Sequence, residues 1–328
     1  MKVAIIGCGA IGKKRLLALD PSDTLVGVAD AQPGRARELA GGREGTRVFG
    51  RWEEAVESAD VEALIVSTTN DWLAPIACAA AVRGKHVLVE KPGARSAEEL
   101  RGVIAAARAT RAVVHVGFNH RFHPALLKAK EIVEAGALGP LMFVRGRYGH
   151  GGRVGYDREW RADPRISGGG ELLDQGSHLI DLARWFLGDF PRVSGYAATM
   201  YWDMPVEDNA FLTLRTAGDQ VAWLHASCSE WKNMFSFEIY GRDGKLAIDG
   251  LGGSYGTERL SFYKMLPRMG PPDTTIWEYP GADASWSVEY QGFRRAVQQG
   301  TAPAVSLEDA LAVLETIGAV YAQMRPGS

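Results

Sequence analysis

VAIIGCGAIG, residues 3–12, runs from a β-branched apolar stretch directly into a glycine pattern. Gly7, Gly9 and Gly12 have the GxGxxG spacing, placed where a strand gives way to a helix. Each glycine has a task at such a junction: a tight turn, a close approach of backbone to a pyrophosphate, and close packing of helix on strand. Ala10 and Ile11 open the helix, whose first N–H groups and dipole suit phosphate. A glycine-rich turn alone carries little information. Asp30, 18 residues after Gly12 at the end of the next apolar run, adds a carboxylate placed for the hydroxyls of an adenosine ribose. That carboxylate would repel a 2′-phosphate, so NAD is expected ahead of NADP. Arg35 and Arg37 on the following helix leave NADP open.

Outward from this stretch, the first 118 residues alternate short β-branched runs with helical segments, the rhythm of repeated βα units. Six strands are expected, at 3–6, 24–29, 46–49, 61–66, 86–89 and 113–118. Their near-continuous apolar character belongs to a parallel sheet covered on both faces. Pro33 suits a first helical turn, and SAEE at 96–99 has capping-box spacing. Beyond residue 118 the pattern changes to a helix near 124–134, a strand near 141–148, a second helix after 170, and several strand-like runs between about 193 and 280. SLED at 306–309 can cap a last helix running to about Arg325, free to pack back on the first domain. The expected class is α/β: a doubly wound Rossmann domain over 1–118, then a second α/β domain over 119–328 with a large, mostly antiparallel open sheet.

Bulk properties narrow the function. A chain of 328 residues, 46% hydrophobic and 23% charged, suits two domains with substantial cores. A formal net charge of -2 without basic runs offers no footprint for nucleic acid or anionic lipid. Cys8, Cys78 and Cys228 are too scattered for a disulfide framework or a zinc site, which fits a reducing compartment. No signal-peptide pattern or membrane span is evident, so the reading is a cytoplasmic protein.

GGGELLDQGSHLID at 168–181 raises a different question. On a helix, Leu172, Leu173, Leu179, Ile180, Ala183 and Phe186 form one apolar stripe, with Asp174, His178, Asp181 and Trp185 opposite. Alone, that polar face reads as solvated surface. The nucleotide loop changes the reading, because two further strand ends fall on the side where open α/β sheets bind ligands: STTN at 67–70, with Thr68 and Asn70, and EKP at 90–92, with Glu90 and Lys91. Lys91 is then expected where a nicotinamide would lie.

Taken together and in order, GCGAIG, EKP, VGFNHRFHP and GGGELLDQGSHLIDLARWFLG resemble the Gfo/Idh/MocA oxidoreductases, the family of glucose-fructose oxidoreductase and inositol dehydrogenase. The resemblance implies NAD or NADP, hydride transfer at a sugar or polyol carbinol, and Lys91, Asp174 and His178 as the catalytic group. By position it also implies Asn119 beside the nicotinamide, and Arg121, Trp160 and Arg161 beside the substrate. Where family members often carry Pro-Asn followed three residues later by His, this chain has Thr69, Asn70 and Leu73. Removing a hydride from a carbinol requires its hydroxyl proton to leave, a task suited to His178 oriented by Asp174, with Lys91 holding the reacting oxygen. Glycines 168–170 are expected to let backbone approach a ligand. His120 and His123 are expected to position or pack, with no metal. Arg145, Arg147, Arg153, Arg158 and Arg161 form a basic neighbourhood able to hold an anionic group. Alternatives are an NAD-dependent glycosidase using transient oxidation, and a non-enzymatic NAD or sugar sensor. Family analogy further suggests a homodimer or homotetramer formed through the open sheet face.

Overall fold

The computed structural model describes residues 1–324, and internal contacts divide the chain into two units. The first comprises Met1–Phe118, Arg165–Gly168 and Trp286–Leu314, the second Asn119–Pro164, Gly169–Ser285 and the remainder. Two later segments therefore join the first unit, unlike a single division at 118.

In the first unit, β1 (Lys2–Ile6), β2 (Thr24–Ala29), β3 (Arg47–Val48), β4 (Ala63–Val66), β5 (His86–Glu90) and β6 (Val114–Gly117) form a parallel sheet in the order β3-β2-β1-β4-β5-β6. All six expected strands are present. β3 is the shortest and lies exposed at an edge, where only β2 supports it. The order reverses between β1 and β4, the switch point at which such sheets bind ligands. The connecting helices are α1 (Ala10–Leu17), α2 (Pro33–Ala40), α3 (Trp52–Glu57), α4 (Asn70–Val82) and α5 (Ala97–Thr110). Pro33 opens α2, and the Ser96 hydroxyl caps α5 by accepting from the Glu99 N–H. The core joins Val3, Ile5, Val28, Ile65 and Leu88 to Tyr290, Phe293 and Ala296. Burying Phe293 completely contributes roughly 2 kcal/mol, which is why residues 286–314 belong here.

The second unit holds α6 (Pro124–Glu134) and an eight-stranded sheet: β7 (Leu141–Gly149), β8 (Arg192–Ala198), β9 (Asn209–Arg215), β10 (Val221–Ser227), β11 (Met234–Gly241), β12 (Gly244–Asp249), β13 (Glu258–Lys264) and β14 (Asp273–Tyr279). The order is β14-β13-β12-β11-β7-β10-β9-β8, antiparallel except for β7 with β10. After the short α7 (Pro164–Ser167), α8 (Glu171–Leu187) packs on β7, β9 and β10, while α6 packs on β12, β13 and β14. On β7, Val144, Gly146 and Tyr148 are buried, whereas Phe143, Arg145 and Arg147 alternate with them on the exposed side. α9 (Ser285–Gln299) and α10 (Leu307–Gln323) are the last helices among the described residues. Ser306 and Asp309 cap α10 reciprocally, each backbone N–H donating to the other's side chain at 3.0 Å. Arg325, the expected end of α10, lies outside the described residues.

Candidate active site

Within the first unit, the loop between β1 and α1 has the shape of a phosphate cradle. Gly7 has φ +93°, and a Cβ there would lie 2.4 Å from the Ser67 carbonyl oxygen. At Gly12 a Cβ would stand 2.1 Å from the Gly7 carbonyl oxygen, so helix and strand touch backbone to backbone. Gly9 differs: a Cβ would meet nothing within 4 Å. It sits at the N-cap of α1, where neither a side-chain cap nor a first-turn acid competes for the N–H groups around Ala10 and Ile11. The Asp30 carboxylate is held by the Cys8 and Gln32 backbone N–H groups, each at 2.7 Å. Each carboxylate oxygen has a second lone pair suited to a ribose hydroxyl. These features fit a dinucleotide.

The strand ends are less uniform. Lys91 is half-buried after β5, and its bond to Pro92 is cis. Glu90, expected at the cofactor, instead has its carboxylate buried against Arg15 Nε at 2.6 Å. Asn70 opens α4 and its Nδ2 donates to the Ser167 carbonyl at 2.8 Å, while the Thr68 hydroxyl donates to the Thr69 carbonyl at 3.1 Å.

In the second unit, the polar face of α8 overturns the solvated reading. Asp181 is 0% exposed and His178 4%. Asp181 accepts two hydrogen bonds from Arg121, at 2.8 Å from Nε and 2.5 Å from Nη2. Arg121 was expected at the substrate; this buried bidentate pair makes it a structural tie between α8 and the segment before α6. Likewise Asn119 donates through Nδ2 to the Ser285 hydroxyl at 2.9 Å.

Asp174, Arg161 and Trp160 meet in this unit. The Asp174 carboxylate accepts from Arg161 Nε at 3.2 Å, and the Arg161 guanidinium lies 4.6 Å from the Trp160 ring centre. Burial alone would lower the Arg161 pKa, but Asp174 and neighbouring groups outweigh it and hold the guanidinium charged. One turn on, the His178 ring packs against His120 with centroids 3.7 Å apart and planes tilted by 58°, and Tyr148 makes edge contacts with both rings. Burial, with Tyr255 adding to it, pushes the Tyr148 phenol well above its ordinary range, so it remains a proton donor.

Sequence reasoning did not find Glu171. It is buried at the start of α8 and accepts from the Tyr156 hydroxyl at 3.0 Å. Burial raises the Tyr156 pKa, with Glu171 contributing next. The available signal was a charged residue directly after three glycines, with tyrosines and histidines upstream.

Two other expectations are corrected. Glycines 168–170 are required by packing: Cβ atoms there would meet Arg95 at 2.6 Å, the Tyr321 hydroxyl at 2.1 Å and the Glu207 carbonyl oxygen at 2.0 Å. The five arginines form no single basic patch. Arg145 and Arg147 lie on the exposed face of the second sheet, where Arg145 pairs with Glu238, whereas Arg153 and Arg161 both reach Glu159 and Arg161 also bonds Asp174.

Comparison with known proteins extends this picture. Residues 1–118 match the model described as an oxidoreductase family with an NAD-binding Rossmann fold, and residues 126–247 match a GFO/IDH/MocA C-terminal domain. The chain is 29% identical over 296 residues to a levoglucosan dehydrogenase of Pseudarthrobacter phenanthrenivorans, covering 76% of this chain and 73% of the relative. It is 27% identical to a scyllo-inositol 2-dehydrogenase (NAD(+)) of Bacillus subtilis, covering 96% and 91%. A solved levoglucosan dehydrogenase in complex with NADH and levoglucosan superposes with a TM-score of 0.88 at 26% identity, covering 98% and 96%.

Proposed function

This chain belongs to the Gfo/Idh/MocA oxidoreductase family, and on that premise we propose that it oxidises a carbinol of a sugar or polyol, or reduces the matching ketone, with NAD preferred. Similarity across both units to dehydrogenases of levoglucosan and scyllo-inositol supports this substrate class. The observation that carries the chemical reading is His178, an imidazole kept 4% exposed on a helix that also bears Asp174 one turn before it.

The dinucleotide, when bound, supplies the hydride acceptor or donor. Gly9, Ala10 and Ile11 hold its phosphates at the open start of α1, and Asp30 accepts from its ribose. His178 takes the hydroxyl proton in the oxidising direction and returns it in the reducing one. Asp174 orients the site; tied to Arg161 over Trp160, it also holds the side chains that receive a polyhydroxylated ring. Lys91 donates to the reacting oxygen and stabilises the negative charge that develops there. Tyr148, kept protonated, packs its ring edge-on against His178 and helps hold the imidazole in place.

Phe143, Tyr196, Trp223 and Ile276 are exposed on one face of the eight-stranded sheet, where a homodimer or homotetramer would form. No described helix is long and apolar enough to cross a membrane. The three free thiols suit the cytoplasm. The direct test is a panel of sugars, inositols and anhydrosugars assayed with NAD and NADP at the absorbance of reduced nicotinamide. Turnover of a polyhydroxylated substrate, with tighter binding of NAD than NADP, is expected. Silence across the panel alongside tight NADH binding would favour a sensor, and release of an aryl group from a glycoside without net NADH would favour a glycosidase.

A further inference from the structure

Immediately before Lys91 lies a buried ionic cluster that the reaction above does not use. Arg15, 0% exposed on α1, donates through Nε to Glu90 at 2.6 Å and through Nη1 to Glu289 at 2.5 Å. The other Glu289 oxygen is 3.2 Å from His115 Nε2. Glu289 and His115 are also 0% exposed. The four side chains come from α1, β5, α9 and β6, all in the first unit. Around them the fold makes room: a Cβ at Gly117 would stand 2.7 Å from Arg15 Nη2 and 3.2 Å from Glu90 Oε2. The Trp286 ring lies 4.6 Å from the guanidinium.

Stability alone explains this cluster poorly. Desolvating two carboxylates and a guanidinium costs about what their attraction returns, and an apolar cluster of equal volume would hold the same elements together. Burial pushes the Glu90 carboxyl upward even with Arg15 beside it, while Arg15 and His115 overcome burial and hold Glu289 below its ordinary range. What a charged cluster adds is direction, because a planar guanidinium donating from two of its nitrogens to two carboxylates fixes both in angle as well as distance. Its two ends matter here. Arg15 belongs to the helix whose first turn forms the phosphate cradle, and Glu90 is bonded to Lys91 through a single peptide.

We propose that Arg15 and Glu289 are positioning residues for Lys91: through Glu90 they fix the lysine relative to the helix that holds the dinucleotide phosphates. Glu289, 198 residues from Lys91 in sequence, thus acts on the reacting oxygen without touching it. The proposal rests on the role given to Lys91 above.

The test uses the full chain with Glu289→Gln, which keeps shape and an acceptor while removing the charge, and Glu289→Asp, which keeps the charge. With NADH present, reductive methylation by formaldehyde and cyanoborohydride is followed lysine by lysine through peptide mass spectrometry, with Lys13 and Lys128 as surface references. For Glu289→Gln, the Lys91 rate is expected to change by at least about threefold while the references stay constant, and kcat on a substrate from the panel to fall about tenfold or more. The NADH dissociation constant should stay within about threefold, and Glu289→Asp should recover part of the loss. A folded Glu289→Gln protein with an unchanged Lys91 rate would overturn the proposal, as would equal losses in NADH affinity and kcat. A shifted Lys91 rate with unchanged kcat would uphold the positioning and remove Lys91 from the chemistry. If Glu289→Gln fails to fold, Arg15→Lys is read by the same criteria.

Discussion

Helices α1 and α8 both begin after a glycine run, yet their N-termini are put to opposite uses. At α1, Gly9 faces open space and the first turn carries no acid, so the N–H groups and dipole are left for a ligand. At α8, Gly170 lies against Glu207, whose carboxylate accepts from the Gly170 and Leu172 N–H groups at 3.0 and 3.1 Å and from the Tyr321 hydroxyl at 2.7 Å. The first helix leaves its end open; the second closes its end from within and carries His178 and Asp174 on a side face. A glycine run before a helix therefore marks close approach of something, and only the occupant of the space decides whether that is ligand or protein.

The contrast predicts that variants on the side face of α8 change turnover and those at the start of α1 change binding. The largest effect is expected for His178→Asn, with kcat reduced about 10²- to 10⁴-fold and the NADH dissociation constant within about threefold by calorimetry. Lys91→Met should lower kcat about 10²-fold or more with binding similarly retained. Wild-type turnover in either variant would remove that residue from the mechanism.

Next comes Gly170→Ala. Its methyl would collide with the Glu207 backbone, so denaturant unfolding should show a loss of roughly 3 kcal/mol. Gly9→Ala should instead unfold within about 1 kcal/mol of wild type and bind NADH about tenfold or more weakly, a difference near 1.4 kcal/mol. Equal effects of the two alanines on stability would break the comparison.

The smallest effect concerns the closure of α8. Burial raises the Glu207 pKa despite its hydrogen bonds to Tyr321 and the helix N–H groups. An acid whose folded pKa exceeds its unfolded value costs stability while ionised, and that cost is relieved as pH falls through the folded value. Glu207→Gln should therefore compare more favourably with wild type at about pH 7 than at about pH 5, by roughly 1 kcal/mol or less. Unfolding curves at the two values check the sign.

Much of the fold was legible because parallel strands buried on both faces leave continuous apolar runs and capping residues mark helix starts. Ser96, Pro33 and Ser306 each stand where their helices begin. The site was legible in part. Periodicity put Asp174, His178 and Asp181 on one side of α8 but could not say whether water or protein faces that side. Arg121 illustrates the gap: it read as a substrate residue, and the structure pairs it with Asp181 on the polar face of α8. Glu289 was invisible for another reason: its partners Arg15, Glu90 and His115 are far away along the chain, so no local pattern signals them.

The sequence by itself determined which segments become strands and helices, the phosphate loop with its acidic partner, and the family, because backbone geometry and motif spacing are local properties. Tertiary structure alone decided which charged side chains pair with one another: Arg121 with Asp181, Arg161 with Asp174, Glu90 with Arg15. The physical reason is that a charge removed from water must find its counter-charge in space, and the chain brings such partners together from any separation.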